Sequence, residues 1–266
     1  MTANELATAA TRPLASGRAG RLLAWGAALG VAYGLTWLLT RALWTLLTGP
    51  LGITPTPLPD ARRVLYTVCF GIFFAPLLYL LPCALARRWL RPDVRTVLLY
   101  AGTAYFFGCG LEMVMDRAFI FALGRPCYLY HVWPIHHGHT SGSGVVMWPL
   151  YGFFVCLLHQ AIREQPRLSF LEGDWARAGL LAVDAMLLEV AANLFTLVGF
   201  GTWLFRYHAP DLHHFTTVEA FPIYLLGGYP GVRLLHAMEA HPRRGRLGVV
   251  LGVVIGVAAF ALDGVP

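Results

Sequence analysis

The sequence predicts an all-α membrane protein of about seven transmembrane helices that contain an internal parallel repeat of helical hairpins. Three observations carry this. The 266 residues are 57% hydrophobic and only 13% charged, against roughly a quarter charged in an ordinary globular chain. Seven apolar stretches approach the about 20 residues that cross roughly 30 Å of hydrocarbon. A polar signature then occurs twice: Tyr130-His131 and His136-His137 recur 77 residues on as Tyr207-His208 and His213-His214.

The apolar stretches lie near residues 22–40, 64–86, 97–123, 145–162, 178–205, 218–238 and 247–263. Residues 1–21, rich in Ala, Thr and Arg, read as a disordered cytoplasmic tail, and residues 22–266 as one seven-helix transmembrane domain. The first stretch is too long for the apolar core of a secretion signal, and no clean small-x-small site follows it, so it reads as a permanent anchor. Connections on the amino-terminal side hold 14 arginines, among them Arg87, Arg88, Arg91 and Arg95, and the opposite side holds six. The positive-inside rule then places the amino terminus in the cytoplasm and the carboxyl terminus outside. Every basic residue is Arg and none is Lys, a bias that points to a bacterial source and hence a bacterial plasma membrane. The arginines form no long basic tract, which argues against a nucleic acid partner. Five cysteines without a CxxC pair give no disulfide framework or thiolate metal site. The glycines from Gly248 to Gly256 have the spacing of a helix-packing face.

The repeat units cover about residues 97–163 and 174–239. The 77-residue offset carries Glu112 onto Glu189, and an offset of 73 carries Pro149-Leu150-Tyr151 onto Pro222-Ile223-Tyr224. Glu112 and Asp116 are four apart, as are Glu189 and Asn193, so each helix presents a two-residue polar spot on one face. The two spots are expected to face each other across a shared cavity. A carboxyl in an apolar wall is costly unless it is used, and a protonated one serves as a general acid. Asp184 is a further acid in the fifth stretch whose facing the spacing does not fix.

Seven imidazoles lie in the two equivalent connections: His131, His136, His137, His139, His208, His213 and His214. Without a metal, His131 and His208 would accept or relay protons. The alternative is an iron or zinc site built from His136, His137, His139, His213 and His214. Their HxxxxHH spacing departs from the HxxxH and HxxHH clusters of membrane desaturases and hydroxylases. Tyr130, Tyr207, Trp148, Tyr151, Tyr224 and Asn193 are candidates for the substrate wall, since ring faces turned inward suit a carbocation. Tyr128, Trp133, Trp148, Trp203 and Tyr224 also fit an interfacial aromatic belt. Thr140-Ser141-Gly142-Ser143-Gly144 lacks the strand and Lys of a phosphate loop and reads as a tight lead-in to the fourth helix.

A buried Glu in one span, then Gly124-x-Pro126-x-x-x-Tyr130, then an apolar segment with Pro149 resembles the integral-membrane enzymes of isoprenoid metabolism. These are the carotenoid hydratases and the lycopene-cyclase-like and fungal-type membrane terpene cyclases. The resemblance covers about residues 97–239, and the doubled Tyr-His element departs from it. It implies acids in the spans that protonate an olefin or epoxide, with Glu112 as proton donor beside Glu189 or Asp116. The expected function is therefore acid-base chemistry, meaning cyclisation, hydration or isomerisation, on a hydrophobic isoprenoid or lipid held in the bilayer, without a cofactor. A histidine-liganded metal-dependent oxidoreductase is the alternative, and a transporter or membrane accessory subunit the third reading.

Overall fold

A computed structural model describes residues 18–263. It contains seven long helices: α1 (Arg18–Thr48), α2 (Arg63–Ala86), α3 (Val94–Leu123), α4 (Gly144–Glu164), α5 (Asp174–Phe200), α6 (Ala220–Glu239) and α7 (Arg244–Ala261). Each overlaps one of the expected apolar stretches. Five of them, α2, α3, α4, α5 and α7, are long and apolar enough to cross a membrane. Their outward faces carry bare hydrophobic side chains such as Ile72, Phe121 and Val253, and the chain is an integral membrane protein. The expected tail lies outside the described residues as far as residue 17, and α1 already begins at Arg18.

Local chemistry sets the helix limits. The Asp93 side chain caps α3 by accepting from the Thr96 N–H at 3.1 Å, which satisfies one of the free donors of the first turn. At its other end α3 stops at Gly124, with φ of 67°, and α5 stops in the same way at Gly201, with φ of 65°. Both are left-handed caps of the kind glycine adopts without strain. This is why α5 ends before residue 205, where the apolar run alone extended it.

Successive helices alternate in direction. At one end, ion pairs tie α2 to α4 (Arg88–Glu164, 2.7 Å), α4 to α6 (Arg163–Glu239, 3.0 Å) and the start of α7 to that of α3 (Arg244–Asp93, 2.9 Å). Glycine allows the closest crossings. A Cβ on Gly102 of α3 or on Gly248 of α7 would collide with the backbone of the other helix, and one on Gly152 of α4 would collide with the α3 backbone at Tyr100.

The opposite end differs from a purely helical expectation. Four short strands occur there: β1 (Tyr128–Tyr130), β2 (Pro134–Ile135), β3 (Thr140–Ser141) and β4 (Phe205–Tyr207). β2 pairs with β3, whereas β1 pairs antiparallel with β4, setting Tyr128 against Tyr207, Leu129 against Arg206 and Tyr130 against Phe205. Buried connections must satisfy their own backbone donors and acceptors, and this ribbon does so between the α3–α4 hairpin and the α5–α6 hairpin. His136, His137, His213 and His214 all have positive φ, between 53° and 66°, so both connections turn at the same pair of histidines.

Candidate active site

Two buried carboxyl groups lie beneath the ribbon. Glu112 of α3 accepts from the Tyr130 hydroxyl on one oxygen and from the Thr140 hydroxyl on the other. Glu189 of α5 accepts from the Tyr207 and Tyr224 hydroxyls on one oxygen and from the Thr216 hydroxyl, at 2.6 Å, on the other. Burial pushes the phenols of Tyr130 and Tyr207 up from their usual range, so both remain donors at any ordinary pH.

One turn further along each helix, Asp116 and Asn193 hold the connections in place. Asp116 accepts from the backbone N–H groups of Cys127 at 2.5 Å and Tyr128 at 3.4 Å, and from His139 Nδ1. Asn193 Oδ1 accepts from the N–H groups of Leu204 and Phe205 at 3.1 and 3.3 Å, while its Nδ2 donates to the Phe215 carbonyl. Both residues are fully buried and neither lines a cavity. The second member of each expected polar spot thus secures backbone N–H groups of the connection that follows its helix.

Two apolar cavities meet at Glu112. One, of about 110 Å³, lies among α3, α4, α5 and α6; Tyr128, Tyr207 and Glu112 line it near the ribbon, and Tyr100 and Leu235 line it far from the ribbon. Glu112 and Tyr100 are twelve residues apart on α3, which is about 18 Å along a helix. The other, of about 90 Å³, is lined by Glu112, Glu189 and Tyr130 together with Phe70 and Phe74 of α2. Glu112, Trp148, Tyr151 and Tyr224 belong to both walls. A groove of about 410 Å³ between α3 and α6 shares Phe107, Leu111, Met115, Ile223 and Gly227 with the first cavity, so the cavity's side wall there is one layer of side chains.

The expected wall residues Tyr130, Tyr207, Trp148, Tyr151 and Tyr224 therefore do line the cavities. Trp148 and Tyr224 do not form an outer belt, and Trp203 is buried and stacked on Trp44. The two Pro-x-Tyr tyrosines take different partners, since Tyr224 reaches Glu189 while Tyr151 donates to Asp184 at 2.6 Å. His131 and His208 line neither cavity. His208 is exposed, and burial together with Arg206 pulls the His131 imidazole below its usual range.

The histidines of the alternative metal set go to separate partners. His136 Nε2 is 2.7 Å from the Ala259 carbonyl, His213 Nδ1 is 3.2 Å from Thr40 Oγ1, His214 Nδ1 is 2.8 Å from the Tyr207 carbonyl, and His139 is bound to Asp116. His137 is exposed. Among the described residues no three His, Cys, Asp or Glu side chains converge as metal ligands.

Sequence reasoning missed Thr140 and Thr216, which are 76 apart, and His159 and His236, which are 77 apart; the 77-residue offset finds the histidine pair but carries Thr140 onto Thr217. No family model, no curated protein and no solved structure matches the chain.

Proposed function

We propose that the chain is a seven-span enzyme of the bacterial plasma membrane, amino terminus in the cytoplasm, that performs acid-base chemistry on a hydrophobic isoprenoid or lipid. On this reading the α3–α4 and α5–α6 hairpins are two parallel copies of one unit, and the ribbon lies on the outer side. The observation that carries it is the position of Glu112 on the wall of both apolar cavities, beside Trp148, Tyr151 and Tyr224.

The surroundings of the two carboxyls divide the roles. Thr140 lies 3.8 Å from Cys109 Sγ, so its hydroxyl can turn to that sulfur and accept a proton-bearing Glu112 oxygen instead of donating to it. Glu189 receives three hydroxyl donors, an environment that favours the carboxylate. Glu112 is the acid and Glu189 the base. The Glu112 proton forms a C–H bond at one carbon of an olefin while the π bond breaks, and the ring faces of Trp148, Tyr151 and Tyr224 stabilise the cation. Glu189 then removes a proton from a neighbouring carbon, whose C–H electrons form the new double bond. The cycle closes when that proton returns to Glu112.

The test is turnover of a panel of linear prenyl olefins by the membrane-embedded chain in D₂O, with products read by mass spectrometry. Glu112→Gln and Glu189→Gln are expected to abolish deuterium incorporation while the protein still inserts and is extracted intact. Full activity in both variants overturns the reading.

A further inference from the structure

At the end of the first cavity remote from the ribbon lies a buried polar cluster that the acid-base reading does not use. Tyr100 and Arg177 are 77 residues apart, as are His159 and His236. The Tyr100 hydroxyl is 3.1 Å from His159 Nδ1, and Arg177 Nη1 is 2.5 Å from His236 Nε2. The same contact between the first and second helix of a hairpin is thus made by a phenol in one hairpin and by a guanidinium in the other. The two imidazoles lie with ring centroids 6.4 Å apart.

Arg177 is only 4% exposed and His159 is fully buried. Each has a nitrogen without a partner among the described residues: Arg177 Nε and His159 Nε2. With Tyr100 as donor to His159 Nδ1, the free Nε2 carries hydrogen, so both orphan atoms are donors. Among the described residues Glu172 acts on Arg177 without forming an ion pair, and two other neighbouring carboxylates are engaged elsewhere. Glu239 pairs with Arg163 at 3.0 Å, and Asp174 is held by His236 at 2.7 Å and by Arg233 at 3.5 Å. Arg177 forms no ion pair among the described residues. A buried guanidinium Nε and a buried imidazole N–H without acceptors are costly unless an acceptor reaches them.

The cavity ends beside this cluster, with His159 and Arg177 just behind its wall. Tyr100 lines it directly, and so do Val155, Leu181 and Leu235. Val155 and Leu181 are one helical turn from His159 and Arg177, and Leu235 is adjacent to His236. Donors arriving from α4 and α5 around a phenol on α3 match an oxyanion with more than two oxygens, and guanidinium is the side chain best suited to phosphate.

We propose that Arg177 Nε and His159 Nε2, the imidazole held by Tyr100, bind the phosphate head group of a long-chain prenyl or lipid phosphate ester, whose apolar tail runs along the cavity toward Glu112. This rests on the acid-base reading and adds the substrate's polarity and orientation to it. The reacting double bond then lies about 18 Å from the phosphate, twelve helical residues along α3.

The test is binding of farnesyl phosphate, farnesol and sodium phosphate to the detergent-purified full chain by thermal shift and thermophoresis. In wild type, farnesyl phosphate is expected to bind at least tenfold more tightly than farnesol, and sodium phosphate more weakly than either. Arg177→Gln removes the tenfold advantage and leaves farnesol binding unchanged, while Arg177→Lys retains part of it. His159→Asn keeps an acceptor for Tyr100 but removes the Nε2 donor, and gives a separate loss of several-fold if Arg177→Gln does not fold. Equal binding of farnesyl phosphate by wild type and both variants overturns the proposal, and so does sodium phosphate binding as tightly as farnesyl phosphate. Dead Glu112→Gln enzyme with no Arg177 effect on binding removes this inference alone. An Arg177-dependent farnesyl phosphate site in a chain whose Glu112→Gln variant is active removes the acid-base reading alone.

Discussion

Asp116 and Asn193 occupy equivalent places on α3 and α5, and each accepts two consecutive backbone N–H groups from the strand-bearing connection that follows its helix. An amide is thus sufficient for the task in one hairpin. Asp116→Asn should therefore retain the thermal midpoint in detergent. Asp116→Leu orphans two buried donors, at a cost on the order of 1–3 kcal/mol each, and should lower the midpoint sharply. A Leu variant as stable as wild type would show that these bonds do not hold the ribbon.

The tyrosines should be unequal. Tyr207→Phe leaves Glu189 with Tyr224 and Thr216, but Tyr130→Phe strips one Glu112 oxygen of its only hydroxyl partner. General acid-base contributions of about 10²–10⁴-fold make a tenfold or greater loss of deuterium incorporation the expectation for Tyr130→Phe, and a smaller one for Tyr207→Phe. Equal losses would remove the distinction drawn between the two carboxyls.

Gly102→Ala forces α3 away from the α7 backbone at Gly248, whereas nothing lies within 4 Å of a Cβ on Gly199. Overpacking costs typically about 1–3 kcal/mol, and more is expected where the obstacle is backbone. Unfolding in graded denaturing detergent should occur earlier for Gly102→Ala and be unchanged for Gly199→Ala.

Stability should fall on acidification through two identifiable groups. Burial holds the imidazoles of His131 and His214 below their usual range, while in the unfolded chain they titrate near about 6.5. As pH drops through and below that value the unfolded chain takes up protons first, so the folded state loses ground. Between pH 7.5 and 5.5 the midpoint of a His131→Gln, His214→Gln double variant should decline less steeply than that of wild type. Parallel declines would exclude both groups.

Since His136, His213 and His214 each have a protein partner of their own, exhaustive dialysis against a chelator should leave the thermal midpoint unchanged. Elemental analysis of the purified chain by plasma mass spectrometry should find well under one iron or zinc per chain. A stoichiometric metal that disappears in His136→Ala would reverse this and move the chemistry to the histidines.

Much of this was legible in the residues because lipid permits few polar exceptions. The seven helices follow from apolar run length, and Glu112 and Glu189 from their duplicate register. Tyr130 and Tyr207, the last residues of their strands, bond the carboxyls, whereas His131 and His208 follow the strands and line neither cavity; adjacency in sequence suggested a joint role that the ribbon separates. Thr140 and Thr216 carry no charge to mark them, and their spacing of 76 falls one residue off the repeat offset. Phe70 and Phe74 line the second cavity from α2, outside both units, where no offset could signal them. Asp116 looked like a second acid only because spacing reports which face a side chain is on, and not whether that face is occupied by a cavity or by the end of a loop.

β1 and β4 come from different hairpins, and among the described residues each is the other's sole sheet neighbour. A chain cut between α4 and α5 would leave each fragment with a bare strand and a carboxyl still bonded to its own tyrosine and threonine, but with only part of either cavity wall. The fragments should therefore be inactive alone and regain turnover when co-expressed. Two copies of one fragment would have the means to pair with each other through the same edge, and such a pairing would present two identical carboxyls. On the proposed acid-base reading, the unequal roles of Glu112 and Glu189 therefore need one copy of each hairpin, joined or co-expressed.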